Sequence, residues 1–325
     1  MQDYAITLYE SRHYDDWNAF AAQAKNATFL FHRDFMEYHS DRFYDYSLMV
    51  FDGEKLMAIL PAHRKDAVVY SHLGLTYGGL VYDERIKQTE VILIFKSVLQ
   101  FLDTDGIGTL HIKTMPSIYH LKPADELGYA LFLTDAKLVR RDSLSVIDIT
   151  KPYFISKTRR ESIRRGEKNG LIIREEPNFR LFWEEILIPN LSKKHGVKPV
   201  HSIEEIEKLH RFFPENIRHF NVYHNEKIVA GTTVFVSQQV AHPQYISGQG
   251  EKNELGSLDY LYHYLITDVF KDKHFFDFGI SNEQQGRKLN SGLIFWKESF
   301  GASTIAHDFY EVPTANHKLL ADAII

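Results

Sequence analysis

The sequence contains no cysteine. Disulfides, a thiolate nucleophile and a cysteine-ligated metal are therefore excluded. Positive charge is not in excess: 38 Lys and Arg stand against 43 Asp and Glu, a formal net charge of −5. The molecule as a whole is no polyanion binder, so DNA is not an expected partner. Any nucleotide or RNA contact has to come from a local patch. Long apolar runs are missing too. The most apolar stretch, Val91 to Leu102, contains Lys96 and Gln100; it is too short to span a bilayer and reads as a core helix, so no integral membrane segment is expected. The opening, MQDYAITLYESRHYDDW, lacks the basic start and apolar centre of a signal peptide, so a cytoplasmic location is the expectation.

Several chemical signatures are also absent. There are 17 histidines, but no H-E-x-x-H and no compact ligand pair with an acidic partner. His210, His219 and His224 are scattered, and no metal is expected. Neither a phosphate-binding Walker loop nor a dinucleotide-binding glycine fingerprint occurs.

What is present suits packed cores: 44% hydrophobic residues, 23 Phe and 18 Tyr. A length of 325 residues makes two domains the default. The first half alternates strand and helix patterns. Tyr4 to Leu8 reads as a strand and Asp15 to Ala24 as a helix. Ser47 to Phe51 and Lys55 to Pro61 form a hairpin around Asp52-Gly53. Glu90 to Leu102 is an amphipathic helix, and Thr109 to Lys113 and Ser145 to Ile149 are strands. The second half repeats the theme. A basic helix, Ser156 to Asn169, is followed by Gly170 as its stop, and Leu171 to Glu175 is a strand. Phe179 to Lys194 is helical but broken near Pro189. Ile203 to Phe212 is a helix opened by a Ser202/Glu205 capping box. Three strands come next: Ile217 to His224, Ile228 to Ser237 and Val240 to Ser247. A glycine-containing loop then leads into a helix from Ser257 to Phe270, Phe275 to Phe278 is a strand, and Gly286 to Phe300 reads as mostly helical. The boundary falls near residue 150, with no linker of low complexity.

Three groups of residues could carry chemistry. Gly248, Gly250 and Gly256 precede a helix whose first turn offers free N–H groups to a pyrophosphate or an oxyanion, with Ser257 as its cap. The alternative is a plain capped helix. Lys157, Arg160, Arg164 and Lys168 share one helix face, widened by Arg159 and Arg165, and suit phosphates; the alternative is a solvated surface, with Glu161 and Glu167 partly offsetting the charge. Tyr245, Asp259, Tyr262 and His263 lie around the same loop as candidate proton donors or acceptors, for each of which a structural role is the stronger alternative. Asp277 faces the same choice. His195, in a polar loop, and Tyr77, beside Gly78 and Gly79, could contact substrate.

The order of strands, glycine loop, helix, strand and helix resembles that of GNAT acyltransferases. Five phrases resemble the tandem-GNAT group that includes the Fem-type peptidyltransferases: NATFLFHRDF (26–35), Tyr77-Gly78-Gly79, KTRRESIRRGEKNG (157–170), VAGTTVF (229–235), and FDFGIS with LNSGLIFWKESFG (276–301). The resemblance implies an α+β fold of two tandem GNAT-like units, each a mixed, mostly antiparallel sheet flanked by helices. The first covers residues 1–150, joined by about 305–325, and the second covers 151–304 and carries the active site.

The resemblance also implies transfer of an acyl or aminoacyl group to an amine acceptor, from acyl-CoA or aminoacyl-tRNA. It places Lys297, after the aromatic Trp296, at the reaction centre, where a buried cation could hold an oxyanion. One departure stands out: SGQGEKNELGSLDY lacks the Q/R-x-x-G-x-G/A spacing of the usual CoA pyrophosphate loop. The first reading is an acyl-CoA-dependent N-acyltransferase acting on an amino sugar or another envelope precursor. The alternatives are an aminoacyl-tRNA-dependent Fem-type transferase and a catalytically inactive module that binds a nucleotide-linked sugar or a protein.

Overall fold

A computed structural model describes residues 4–250 and 252–325, apart from the side chains of Lys194, His195 and Lys252. The chain divides into two units. Unit 1 comprises Met1–Asp142, Gln285–Arg287 and Ala306–Ile325; unit 2 comprises Ser143–Gln284 and Lys288–Ile305. The architecture is α+β, as expected. Among the described residues, no helix is long and apolar enough to cross a membrane, and no group of three or more His, Asp or Glu side chains is placed to hold a metal ion.

Unit 1 begins with β1 (Ala5–Leu8), α1 (Tyr14–Gln23), the single turn α2 (Arg33–Met36) and β2 (Tyr44–Asp45). The hairpin of β3 (Leu48–Asp52) and β4 (Lys55–Leu60) follows, then β5 (His63–Lys65), β6 (Val68–Tyr70) and β7 (Val81–Tyr82). The strands β1, β3, β4 and β7 make one antiparallel sheet. Helix α3 (Gln88–Thr104) buries Val91, Ile94, Phe95, Val98 and Leu102, which recur at helical spacing, in the unit's core. Then come β8 (Thr109–Lys113), α4 (Glu126–Leu133) and β9 (Lys137–Asp148). The sequence reading placed only the last part of β9 in a strand, because its first half is polar.

Close to β5, three histidines share a buried cluster. The His39 and His72 rings stack at 4.9 Å, and those of His63 and His72 meet at 5.1 Å. All three are buried, and burial pushes His39 and His63 down to about 4 and lowers His72 as well.

Unit 2 opens with α5 (Lys157–Lys168), capped by the Ser156 hydroxyl, and β10 (Ile172–Glu175). Helix α6 (Phe179–Phe182) does not break near Pro189, contrary to expectation. Trp183–Leu187 widens into a π turn and the helix resumes as α7 (Ile188–His195). Pro189 follows directly on that π turn, so the helix continues through a residue that has no N–H to give. Helix α8 (Ile203–Phe212) has the expected capping box.

The meander is β11 (Ile217–His224), β12 (Lys227–Val236) and β13 (Val240–Gly248), with Asn225 and Glu226 both at positive φ in a tight hairpin turn. Within the loop after β13, Lys252–Leu255 forms a short turn of helix, α9. Helix α10 (Ser257–Tyr264) runs on as a π turn, Leu265–Val269, before β14 (Phe275–Ile280).

The stretch from Gly286 is not mostly helical. Instead β15 (Asn282–Glu283) pairs with β16 (Lys288–Leu289), and Gln284, Gln285 and Gly286 all take positive φ, which no α-helix accommodates. The helix, α11 (Ser291–Glu298), starts only after the Asn290 cap. The unit 2 sheet runs β10-β11-β12-β13-β14-β9. Phe220, Leu261, Tyr262, Phe270, Phe276 and Phe300 fill the core on one of its faces. The final strand, β17 (Ser303–Pro313), enters unit 1 at Ala306 and pairs there with β8.

Candidate active site

The unit 2 sheet is antiparallel except where β13 meets β14. Those two strands run parallel and pair over only Val240↔Phe275 and Ala241↔Phe276. Beyond that point β13 carries Pro243, which has no ladder N–H to give, and then an extra residue. Opposite Thr233-Val234 of β12 stand Tyr245 and Pro243, so Gln244 forms a bulge. The Gln244 Oε1 is buried and without a hydrogen-bond partner. A bulge bends its strand, and the parallel pair ends just before it, at Ala241 and Phe276.

His242 and Asp277 lie just past the last paired residues. His242 Nδ1 is 2.9 Å from the Asp277 carbonyl oxygen and 3.4 Å from its carboxylate. With a proton on Nδ1 donated to Asp277, the neutral ring presents Nε2 as a bare acceptor. The Asp277 Oδ1 accepts the Gly279 N–H at 2.7 Å. Gly279 sits at φ +73° where β14 bulges against β9. A Cβ there would stand 3.1 Å from His242 Cε1, so glycine meets both a backbone and a space requirement.

The same bulge turns two carbonyls toward α11. Lys297 Nζ donates to Gly279 O at 2.9 Å and to Ile280 O at 2.6 Å. Lys297 is only 4% exposed. Burial pushes its ammonium down to about 8, with Asp277 acting in the opposite direction. His242, Asp277 and Lys297 thus converge on one four-residue segment, Asp277 to Ile280. The sequence reading named Lys297 and weighed Asp277 but missed His242. Its only sequence signal is a histidine directly before a proline in the strand.

Asp259 belongs to a different group. Its carboxylate takes an ion pair from Arg159 at 2.5 Å and a hydrogen bond from Trp296 Nε1 at 2.7 Å. The Arg159 guanidinium also bonds the Ser299 hydroxyl at 2.9 Å and lies over the Phe300 ring. Arg159 therefore does not widen the basic face of α5, and Arg165 is engaged by the Asn253 carbonyl at 2.6 Å. Lys157, Arg160, Arg164 and Lys168 are all exposed, with Arg160 over Phe154.

Tyr245 is buried, with its hydroxyl on the His201 N–H at 3.0 Å and on His201 Nδ1 at 2.5 Å. His263, on α10, has a buried Nδ1 without a partner, and burial lowers its pKa. Ser257 is not the cap of α10. Gly256 takes that place at φ +71°, while the Ser257 Oγ is buried and unpartnered. A Cβ on Gly256 would stand 2.4 Å from the Ser162 carbonyl, so this glycine lets α10 approach α5. Gly248 ends β13 and accepts the Asn190 amide at 2.9 Å; at Gly250 nothing stands within 4 Å of where a Cβ would be. Tyr77 belongs to unit 1, buried, with its hydroxyl 2.9 Å from Thr28 Oγ1. The side chain of His195 lies outside the described residues.

The sequence matches no protein-family model and no curated protein. In fold the chain is similar to FemX, at 10% identity and TM-score 0.68 over 98% of this chain and 99% of that one. It is also similar to L-PGS from Bacillus licheniformis, at 13% identity and TM-score 0.56 over 82% and 83%. A third likeness is to a conserved protein of unknown function from Bacteroides thetaiotaomicron VPI-5482, at 11% and 0.54 over 95% and 98%. At such identities the likeness is one of fold: this chain shares the α+β fold of FemX along nearly its whole length.

Proposed function

We propose that this chain is an N-acyltransferase that moves an acyl group from acyl-CoA onto an amine, the acceptor being an amino sugar or another cell-envelope precursor. The observation that carries the reading is the convergence of His242, Asp277 and Lys297 where β13 and β14 cease to pair. In the reaction the amine nitrogen attacks the thioester carbonyl and a C–N bond forms. His242 Nε2 takes the proton that the nitrogen loses. The Lys297 ammonium spends two of its three N–H groups on carbonyls, and the third meets the oxyanion. The C–S bond then breaks, and the thiolate leaves with the proton returned by His242. Direct transfer suits a chain without cysteine. Because Gly256 and Ser257 are taken up in helix packing, the donor's phosphates fall in this reading to the open Gly250 and the exposed face of α5.

That exposed face also favours a second reading, a Fem-type transferase using aminoacyl-tRNA, since Lys157, Arg160, Arg164 and Lys168 suit a phosphate backbone. Thermal unfolding with acetyl-CoA, longer acyl-CoAs, free CoA and uncharged tRNA in parallel separates the two. A ligand that binds only the folded protein raises its melting temperature by mass action. A rise with an acyl-CoA, together with amine-dependent release of free thiol, is the expected result. A rise with tRNA alone at physiological salt moves the assignment to the second reading. No response to either leaves a non-catalytic binding module.

A further inference from the structure

Three exposed apolar side chains are tied to Lys297 through the backbone. Ile280, whose carbonyl accepts from Lys297 Nζ at 2.6 Å, is 38% exposed. Leu293 lies four residues before Lys297 on α11, one turn away on the same side of the helix, and is 39% exposed. Leu289 is 57% exposed. It ends β16 opposite Asn282. The next residue, Asn290, donates its N–H to the Ser281 carbonyl at 2.8 Å and caps α11 by accepting the Leu293 N–H at 3.0 Å. Ser281 directly follows Ile280, so the three side chains come from adjoining stretches of backbone, all within unit 2.

A single exposed leucine needs no explanation; three apolar side chains gathered beside one buried lysine do. A turn that met only water would carry polar residues, as α11 does at its exposed Ser291 and Glu298.

In the acyl-transfer reading the thioester oxygen sits on the Lys297 ammonium. The acyl chain begins at the carbon that bears this oxygen, so its first atoms are held beside Lys297. The apolar surface open to the rest of the chain then starts at Ile280 and Leu293. An acetyl group is too short to cover it, and a polar acyl group would leave it wet.

We propose that the donor carries a medium or long alkyl chain, which runs from Lys297 over Ile280, Leu293 and Leu289. This inference rests on the acyl-transfer reading and names the class of acyl group for that same site. A methylene fully removed from water favours binding about fourfold, and one half covered about twofold. Octanoyl has six more methylenes than acetyl, so roughly a 50-fold preference follows if each is half covered.

Calorimetry of the full chain with free CoA, acetyl-CoA, butyryl-CoA and octanoyl-CoA reads this preference without an acceptor. Affinity is expected to rise along the series. Leu289→Ser and Leu293→Ser, at exposed positions where substitutions shift stability little, should each cut the octanoyl-to-acetyl ratio about threefold, and together about tenfold. Leu319→Ser, at a comparably exposed leucine of unit 1, should leave the ratio as it is. If no CoA species binds, the acyl-CoA reading fails and takes this inference with it. If acetyl-CoA and octanoyl-CoA bind alike, or the ratio survives the double variant, the chain preference alone is overturned. Octylamine is the remaining probe: if Leu293→Ser weakens octylamine and leaves octanoyl-CoA unchanged, the apolar chain belongs to the acceptor and the proposal falls.

Discussion

His242 Nδ1 stands 2.9 Å from the carbonyl oxygen of Asp277, on the neighbouring parallel strand. This contact sets the tautomer. With the Nδ1 proton held by Asp277, Nε2 is the nitrogen that can accept another. His242→Gln should therefore lower kcat by about 10²- to 10⁴-fold, the usual size of a lost general base, with little change in melting temperature. Asp277→Asn keeps the backbone carbonyl but not the carboxylate, so a smaller loss is expected. Steady-state thiol release with the acceptor amine checks both. Equal turnover in His242→Gln would remove the histidine from the mechanism.

Lys297 gives a pH dependence with two opposite signs. Burial lowers it to about 8 from the ordinary 10.5. Between those values the unfolded chain holds a proton that the folded chain does not, so this residue's contribution to stability rises with pH, by about 1.4 kcal/mol per unit. A reaction that uses the ammonium runs the other way and fades as pH passes 8. Turnover falling above pH 8, while the melting temperature does not fall through this group, is the expected pair of curves. A rate that climbs through the same range would mean that the neutral amine is the active form.

Much of this was legible in the sequence. The hairpin at Asp52-Gly53, the capping box at Ser202 and the stop at Gly170 are local signals, and local chemistry decides them. Lys297 was visible through a family phrase. What escaped reading depends on pairings between distant residues. His242, the proton acceptor of the proposed reaction, acquires meaning only beside Asp277, 35 positions away. Ser257 looks like a cap until Gly256, pressed on α5, takes the place. Pro189 looks like a break until a π turn absorbs it. Gly286 looks compatible with a helix until two preceding glutamines join it at positive φ.

The stacked histidines of unit 1 predict acid sensitivity. His39 and His63 are lowered to about 4, and His72 is lowered too, in each case mainly by burial. Arg42 beside His39 and Lys113 beside His63 and His72 push the same way, with Asp41 and Asp45 opposing. Groups with depressed pKa contribute stability that is present above the unfolded value of 6.5 and lost as pH falls toward the folded value. At pH 5 His39 and His63 each cost about 2 kcal/mol. Melting temperatures measured from pH 7.5 to 5 should fall steeply. His39→Phe should flatten the fall, because it removes one of the buried groups that acid must charge. An unaltered acid limb in that variant would exclude His39 as a source.

Asp259 separates structure from catalysis. Its carboxylate is held by Arg159 at 2.5 Å and by Trp296 Nε1 at 2.7 Å, and both charged side chains are 11% exposed. Removing one partner of such a pair leaves the other charge buried and uncompensated, which typically costs 3–5 kcal/mol; because the pair retains some exposure, about 3 kcal/mol is expected. Asp259→Ala should therefore lower the unfolding free energy by that amount, and Arg159→Met in the same background should recover part of it, since the stranded cation is then gone. A catalytic base would behave otherwise: turnover would fall far more than stability, and the second substitution would restore neither. Chemical denaturation of the two single variants and the double variant, read beside their turnover, decides between a clasp joining α5, α10 and α11 and a proton acceptor. The ion pair and the indole hydrogen bond on one carboxylate predict the clasp.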